Sequence, residues 1–145
     1  MVGIKFQFFN MNPMKTKKIW ANLGVEDLAW TTKFYSELGF KPNGTNEELT
    51  SFCFGDDNFI IHFFIKERFK WAVNEEVADL KQGNEIIFSL SAESVDEVHQ
   101  RLLAVKNAGG RIFAEPQSFE KGYFFGFSDP DGHKFNVLYW PKENS

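Results

Sequence analysis

One pattern, a strand followed by a helix and three further strands, runs through this chain twice, and nothing else in it restricts the fold as much. The first copy opens with "KKIWANLGV" (17–25), where Ile19, Ala21, Leu23 and Val25 alternate with Trp20, Asn22 and Gly24 as in a half-buried strand. In the "EDLAWTTKFYSELGF" that follows, Asp27 can cap a helix, Leu28, Thr31, Tyr35 and Leu38 recur at helical spacing, and Gly39 suits a left-handed stop. Short strands are then predicted in "GFKPN", "LTSFCFG" and "NFIIHFFI", separated by Asn43-Gly44 and Asp56-Asp57-Asn58.

The second copy keeps this order. "NEIIFSLSA" (84–92) places Ile86, Phe88 and Leu90 on one face and Glu85, Ile87 and Ser89 on the other. Ser94 and Glu97 form a capping box, Val95, Val98, Leu102 and Val105 make the apolar stripe, and Gly109-Gly110 ends the helix. "RIFAE", "GYFFGFSD" and "HKFNVLYW" supply the remaining strands, the last entered through the type I turn Asp129-Pro130-Asp131-Gly132. The connector predicts a helix too, since Phe69, Val73, Val77 and Leu80 share a side.

The expected architecture is therefore α+β, with two βαβββ modules forming a curved mixed sheet around a central cavity. Residues 1–16 form an N-terminal extension and 17–145 one domain, divided into module one (17–65), connector (66–83) and module two (84–140). The apolar rows belong beneath the helices. The opposite rows, with Trp20, Asn22, Glu85, Ile87 and Ser89, face the hollow, and Asn136, Leu138 and Trp140 join them if Phe135, Val137 and Tyr139 go under the helix.

Composition narrows the function. A net charge of -4 without a basic stripe removes the electrostatic footprint of a nucleic-acid binder. No run approaches the ~18 apolar residues of a membrane helix. The single Cys53 has no internal disulfide partner and fits a reducing, cytoplasmic setting. Eighteen Phe, four Trp and three Tyr are enough rings to fill a core and still line a pocket.

The stretches "NLGVEDLAWTTKFYSELGFKP", "FSLSAESVDEV" with "AGGRIFAEP", and "FSDPDGHKFNVLYW" together resemble the vicinal oxygen chelate superfamily, the glyoxalase / bleomycin resistance / dioxygenase group. Within that group the chain resembles the small bacterial members described as predicted lactoylglutathione lyases. The resemblance spans about residues 17–140 and implies the paired-module fold. The activities it admits range from metal-dependent isomerases and dioxygenases to resistance proteins that only bind a drug.

In metal-dependent members four inward-facing positions carry the ligands, and the resemblance maps them onto Trp20, His62, Glu85 and Asn136. Two potential ligands of four do not hold a catalytic divalent ion, because Trp offers no lone pair and the amide is neutral and weak. The expectation is a site with no metal and no other cofactor.

Three readings remain open. The first is a binding protein that takes a small, planar or aromatic molecule between Trp20, Asn22, His62, Glu85, Asn136 and Trp140, with help from some of Phe52, Phe54, Tyr123 and Phe124. The second is a lyase or isomerase of glyoxalase type, using Glu85 or His62 as base or metal ligand. The third is an interaction module with a filled cavity. The resemblance also implies a homodimer. The apolar "VGIKFQFFN" supports one independently, since left exposed it would be an edge liability. It either pairs with a partner or with its own sheet, or is dispensable if translation starts at Met11 or Met14.

Overall fold

The computed structural model of the protein describes residues 12–142. Expectations for the apolar segment before Met11 lie outside the described residues. Module one consists of β1 (Ile19–Val25), α1 (Leu28–Glu37), β2 (Lys41–Thr45), β3 (Leu49–Gly55) and β4 (Phe59–Ile65). A short α2 (Lys66–Val73) starts the connector. Module two has β5 (Ile87–Ala92), α3 (Val95–Ala108), β6 (Arg111–Phe119), β7 (Gly122–Ser128) and β8 (Lys134–Tyr139). No helix of the described residues is long and apolar enough to cross a membrane.

Each module makes one four-stranded sheet, in the orders β1-β4-β3-β2 and β5-β8-β7-β6. The first strand of each lies parallel to the last, and the other pairs are antiparallel. The helices begin where their caps require. Asp27 accepts the Trp30 N–H at 3.0 Å. Ser94 accepts the Glu97 N–H at 3.0 Å, while the Glu97 carboxylate reaches back to the Glu93 N–H.

One core serves both modules. Phe52, Ile61 and Phe63 of the first sheet and Phe125, Phe127, Phe135 and Val137 of the second are buried with Phe34 and Tyr35 of α1 and Val98, Leu102 and Val105 of α3. Rings touch across the division: Phe54 stacks on Phe135 at 5.8 Å, and Tyr35 meets Phe135 at 6.0 Å. Phe34 meets Phe127 at 6.4 Å and Phe59 meets Phe88 at 6.2 Å. The helix-side faces of the two sheets are thus turned toward each other. Side chains alternate along a strand, so the opposite faces are turned away from the common core.

Three features differ from the expectation. β5 starts at Ile87, not Asn84, because Ile87 pairs with Lys134, the first residue of β8, and Glu85 falls opposite the turn where no strand exists. Asn84 instead donates its side-chain N–H to the Gly132 carbonyl at 2.8 Å. Ile86 and Ile19, expected beneath the helices, are exposed at the strand starts. The connector helix stops at Val73, where Asn74 turns left-handed (φ 58°). Val77 and Leu80 then reach the module boundary from a loop.

Candidate functional site

The open face of the first sheet is built around His62. The parallel β1–β4 register sets Asn22 beside His62, and Trp20 lies one step along the same face beside Ile60. On the other side of β4, Ser51 of β3 is paired with His62 and receives a hydrogen bond from Asn43 Nδ2 at 3.1 Å. His62 Nδ1 is buried and has no partner. Burial lowers the pKa of this imidazole, so it is neutral near pH 7. Trp20 is half exposed, 51%, with Lys18 Nζ 5.8 Å from its ring centre.

Beyond His62 this face is closed by α2. Phe64 lies 6.0 Å from the His62 ring, and the Arg68 guanidinium sits over both Phe64 and Trp71, at 5.4 and 4.4 Å. Phe69 rests directly on Gly24: a Cβ there would stand 3.0 Å from the ring.

The second sheet repeats the arrangement with other residues. Asn136 is paired with Ser89 of β5 and with Gly126 of β7. Its Oδ1 is buried and unpartnered, as His62 Nδ1 is in the equivalent strand of module one. The Phe113 ring lies over Gly126, so closely that a Cβ on Gly126 would come within 2.5 Å of it. Trp140 stands just past β8, where a hollow of about 540 Å³ is bordered by Ser89, Ser91, Leu138 and Trp140.

Of the six residues singled out from the sequence, the fold brings Trp20, Asn22 and His62 together on one open face and puts Asn136 and Trp140 on the other. Within one chain these faces look away from each other. Glu85 joins neither group; it occupies a bend before β5 and lines a separate cavity at the seam between modules. Two rings expected to border the ligand pocket lie on neither open face: Phe52 is in the core, and Phe54 packs against it, stacked on Phe135. Tyr123 points to His99, its hydroxyl 3.1 Å from Nε2.

Sequence reasoning passed over Asn43, Ser51 and Phe113. Ser51 and Asn43 depend on register across strands, which alternation within one strand does not show. Phe113 had a signal, since a lone glycine inside "YFFGF" marks a place where a ring approaches the backbone.

A different group of possible metal ligands lies in the turn before β8, where atoms of Asp129, Asp131 and His133 fall within 4.8 Å of one another. Asp129 is already fully engaged. Its Oδ1 accepts the N–H groups of Asp131 and His133, and its Oδ2 accepts the Tyr35 hydroxyl at 2.7 Å and faces His133 Nδ1 at 2.8 Å. One oxygen of Asp131 accepts the Glu26 N–H at 2.9 Å. An ion would have to displace bonds that hold the turn to module one. Among the described residues the imidazole is the only strong donor on the His62 face, so the residues there do not fit the divalent ion that the resemblance would place at these positions.

Two four-stranded sheets with crossing helices, each offering an open face with an orphaned polar atom at its centre, define a paired-module α+β protein of the glyoxalase fold. The chain belongs to the Glyoxalase/Bleomycin resistance protein/Dioxygenase superfamily, whose family model matches residues 19–137. A hypothetical protein from S. aureus is 29% identical, with a TM-score of 0.78 over 91% of this chain and 98% of that one. A lactoylglutathione lyase from Agrobacterium tumefaciens shares the fold at 16% identity, with a TM-score of 0.64 over 83% of this chain and 91% of that one. A fosfomycin resistance protein from Mesorhizobium loti does so at 16% identity, TM-score 0.64, over 88% of this chain and 95% of that one. A search of curated proteins gives no match.

Proposed function

We propose that the protein is a metal-free, cytoplasmic binder of a small planar or aromatic molecule, and that its site is completed by a second copy of the chain. The observation that carries this reading is the pair of buried, unpartnered atoms His62 Nδ1 and Asn136 Oδ1, one at the centre of each open face. Buried polar groups are ordinarily hydrogen-bonded, so each is an anchor waiting for a partner. Exposed apolar side chains flank both: Trp20 on one face, Ile87 and Trp140 on the other. A two-fold dimer brings the first face of each protomer over the second face of the other, making two identical sites. Each then combines Trp20, Asn22 and His62 with Asn136 and Trp140 of the partner subunit, giving aromatic walls and a few polar anchors.

Light scattering on purified protein, metal analysis, and a tryptophan fluorescence titration against planar aromatic compounds test the three parts separately. The expected results are a dimer, no stoichiometric metal, and a saturable change that Trp20→Ala removes. A monomer that binds nothing sinks the reading.

One observation favours a second reading, a lyase or isomerase of glyoxalase type. The neutral His62 imidazole is able to take a proton from a bound substrate. Formation of lactoylglutathione by the purified protein, lost in His62→Gln, would decide for it.

A further inference from the structure

The seam between the modules encloses a cavity of about 330 Å³ that excludes Trp20, Asn22, His62, Asn136 and Trp140. Its size is that of a small-molecule pocket, roughly 300–1,000 Å³. The floor is apolar, from Leu23 of β1, Phe69 of α2, Phe88 of β5, Leu80 of the connector and Ile86 just before β5. Asp131 stands at its edge in the turn before β8. That carboxylate is rigidly placed: its Oδ1 holds the Glu26 N–H, and its own N–H is held by Asp129 Oδ1 at 3.0 Å. The surrounding protein desolvates it and raises its pKa.

The charges around the cavity favour a cationic guest. Lys66 is bonded to Glu26, the Lys134 ammonium lies 4.8 Å over the Phe113 ring, and Lys81 is exposed on the connector turn. Glu85 adds another carboxylate to the lining. Of the three lysines in the lining, Lys66 is held by Glu26 and Lys134 lies over Phe113, which leaves Lys81 against the four carboxylates Glu26, Asp79, Glu85 and Asp131. An ammonium on an apolar body matches both the desolvated carboxylate and the floor.

We propose that this seam cavity is a second binding site, for a small primary amine carried on an aromatic or alkyl body, with its ammonium on Asp131 and its apolar part against Phe69, Leu80 and Phe88. The site also gives Glu85 a role apart from the His62 face.

The test uses the full chain with 2-phenylethylamine, and 2-phenylethanol and phenylacetate as controls, followed by two-dimensional amide NMR. The amine is expected to shift amides of Phe69, Leu80, Asp131 and Gly132 saturably, and the two controls to bind far more weakly. Asp131→Asn keeps an oxygen for the Glu26 N–H but loses the charge. It should weaken the amine about tenfold, the effect of one charge-assisted contact, while leaving 2-phenylethanol unchanged. Ala78→Trp should block the cavity, and His62→Ala should have no effect. Failure of the amine to bind folded wild-type protein at millimolar concentration overturns the proposal. So does equal binding of the alcohol or the acid, or shifts confined to Trp20, Asn22 and His62. Binding through the seam stands whether or not the open faces hold a ligand.

Discussion

The Tyr35 hydroxyl donates to Asp129 Oδ2 across 2.7 Å, and the bond joins the first helix of one module to the last turn of the other, 94 residues away. Both groups are buried, and the carboxylate that accepts this bond also organises its own turn through the N–H groups of Asp131 and His133.

Removing the hydroxyl in Tyr35→Phe should therefore cost about 1.5–3 kcal/mol, the range for a hydrogen bond to a charged group. Burial, and then the Asp129 charge, hold the Tyr35 phenol well above its ordinary value. A group whose folded pKa is raised contributes fully below its unfolded pKa, about 10, and the contribution is lost as pH rises toward the folded value. Denaturant unfolding should show the wild-type advantage intact at pH 7 and shrinking above pH of about 10.

His62 titrates with the opposite sign. Burial lowers its folded pKa, so the associated stability is complete above an unfolded value of about 6.5 and is lost as pH falls through it toward the folded value. The His62 ring signals in a proton NMR titration should reach their midpoint below about 6.5. A midpoint above that value would contradict a desolvated imidazole.

Gly126→Ala places a methyl group where Phe113 Cζ lies 2.5 Å away. The ring must leave the space beside Asn136, at a cost of about 1–3 kcal/mol typical of overpacking. Thermal unfolding should detect this, and any fluorescence response to aromatic compounds should change with it.

Ser94→Ala deletes the acceptor for the Glu97 N–H at the start of α3 and should cost about 1 kcal/mol. Ser94→Asp should restore most of it, because an Asp carboxylate caps the same position. Chemical denaturation of the pair is a sufficient check.

Much of this fold was legible because its signals are local. Asp27 and Ser94 cap the helices as their residue types require, and the two βαβββ runs follow strand alternation and turn residues. Asn22 and His62 fall on one face by parity alone once β1 and β4 are aligned. What parity leaves open is which module face meets which. Phe54 stacking on Phe135 decides that the helix sides meet, and this rests on contacts between residues 81 positions apart. Glu85 was misplaced for a related reason: a strand start depends on its neighbour, and β8 begins only at Lys134.

Because Phe34, Tyr35 and Phe54 are packed against Phe127 and Phe135, neither half of the duplication owns a complete hydrophobic interior. A polypeptide severed in the connector would yield two fragments, each soluble only with the other and each recovering structure on mixing. The two repeats are thus mutually dependent, and calorimetry is expected to show a single cooperative melting transition for the pair.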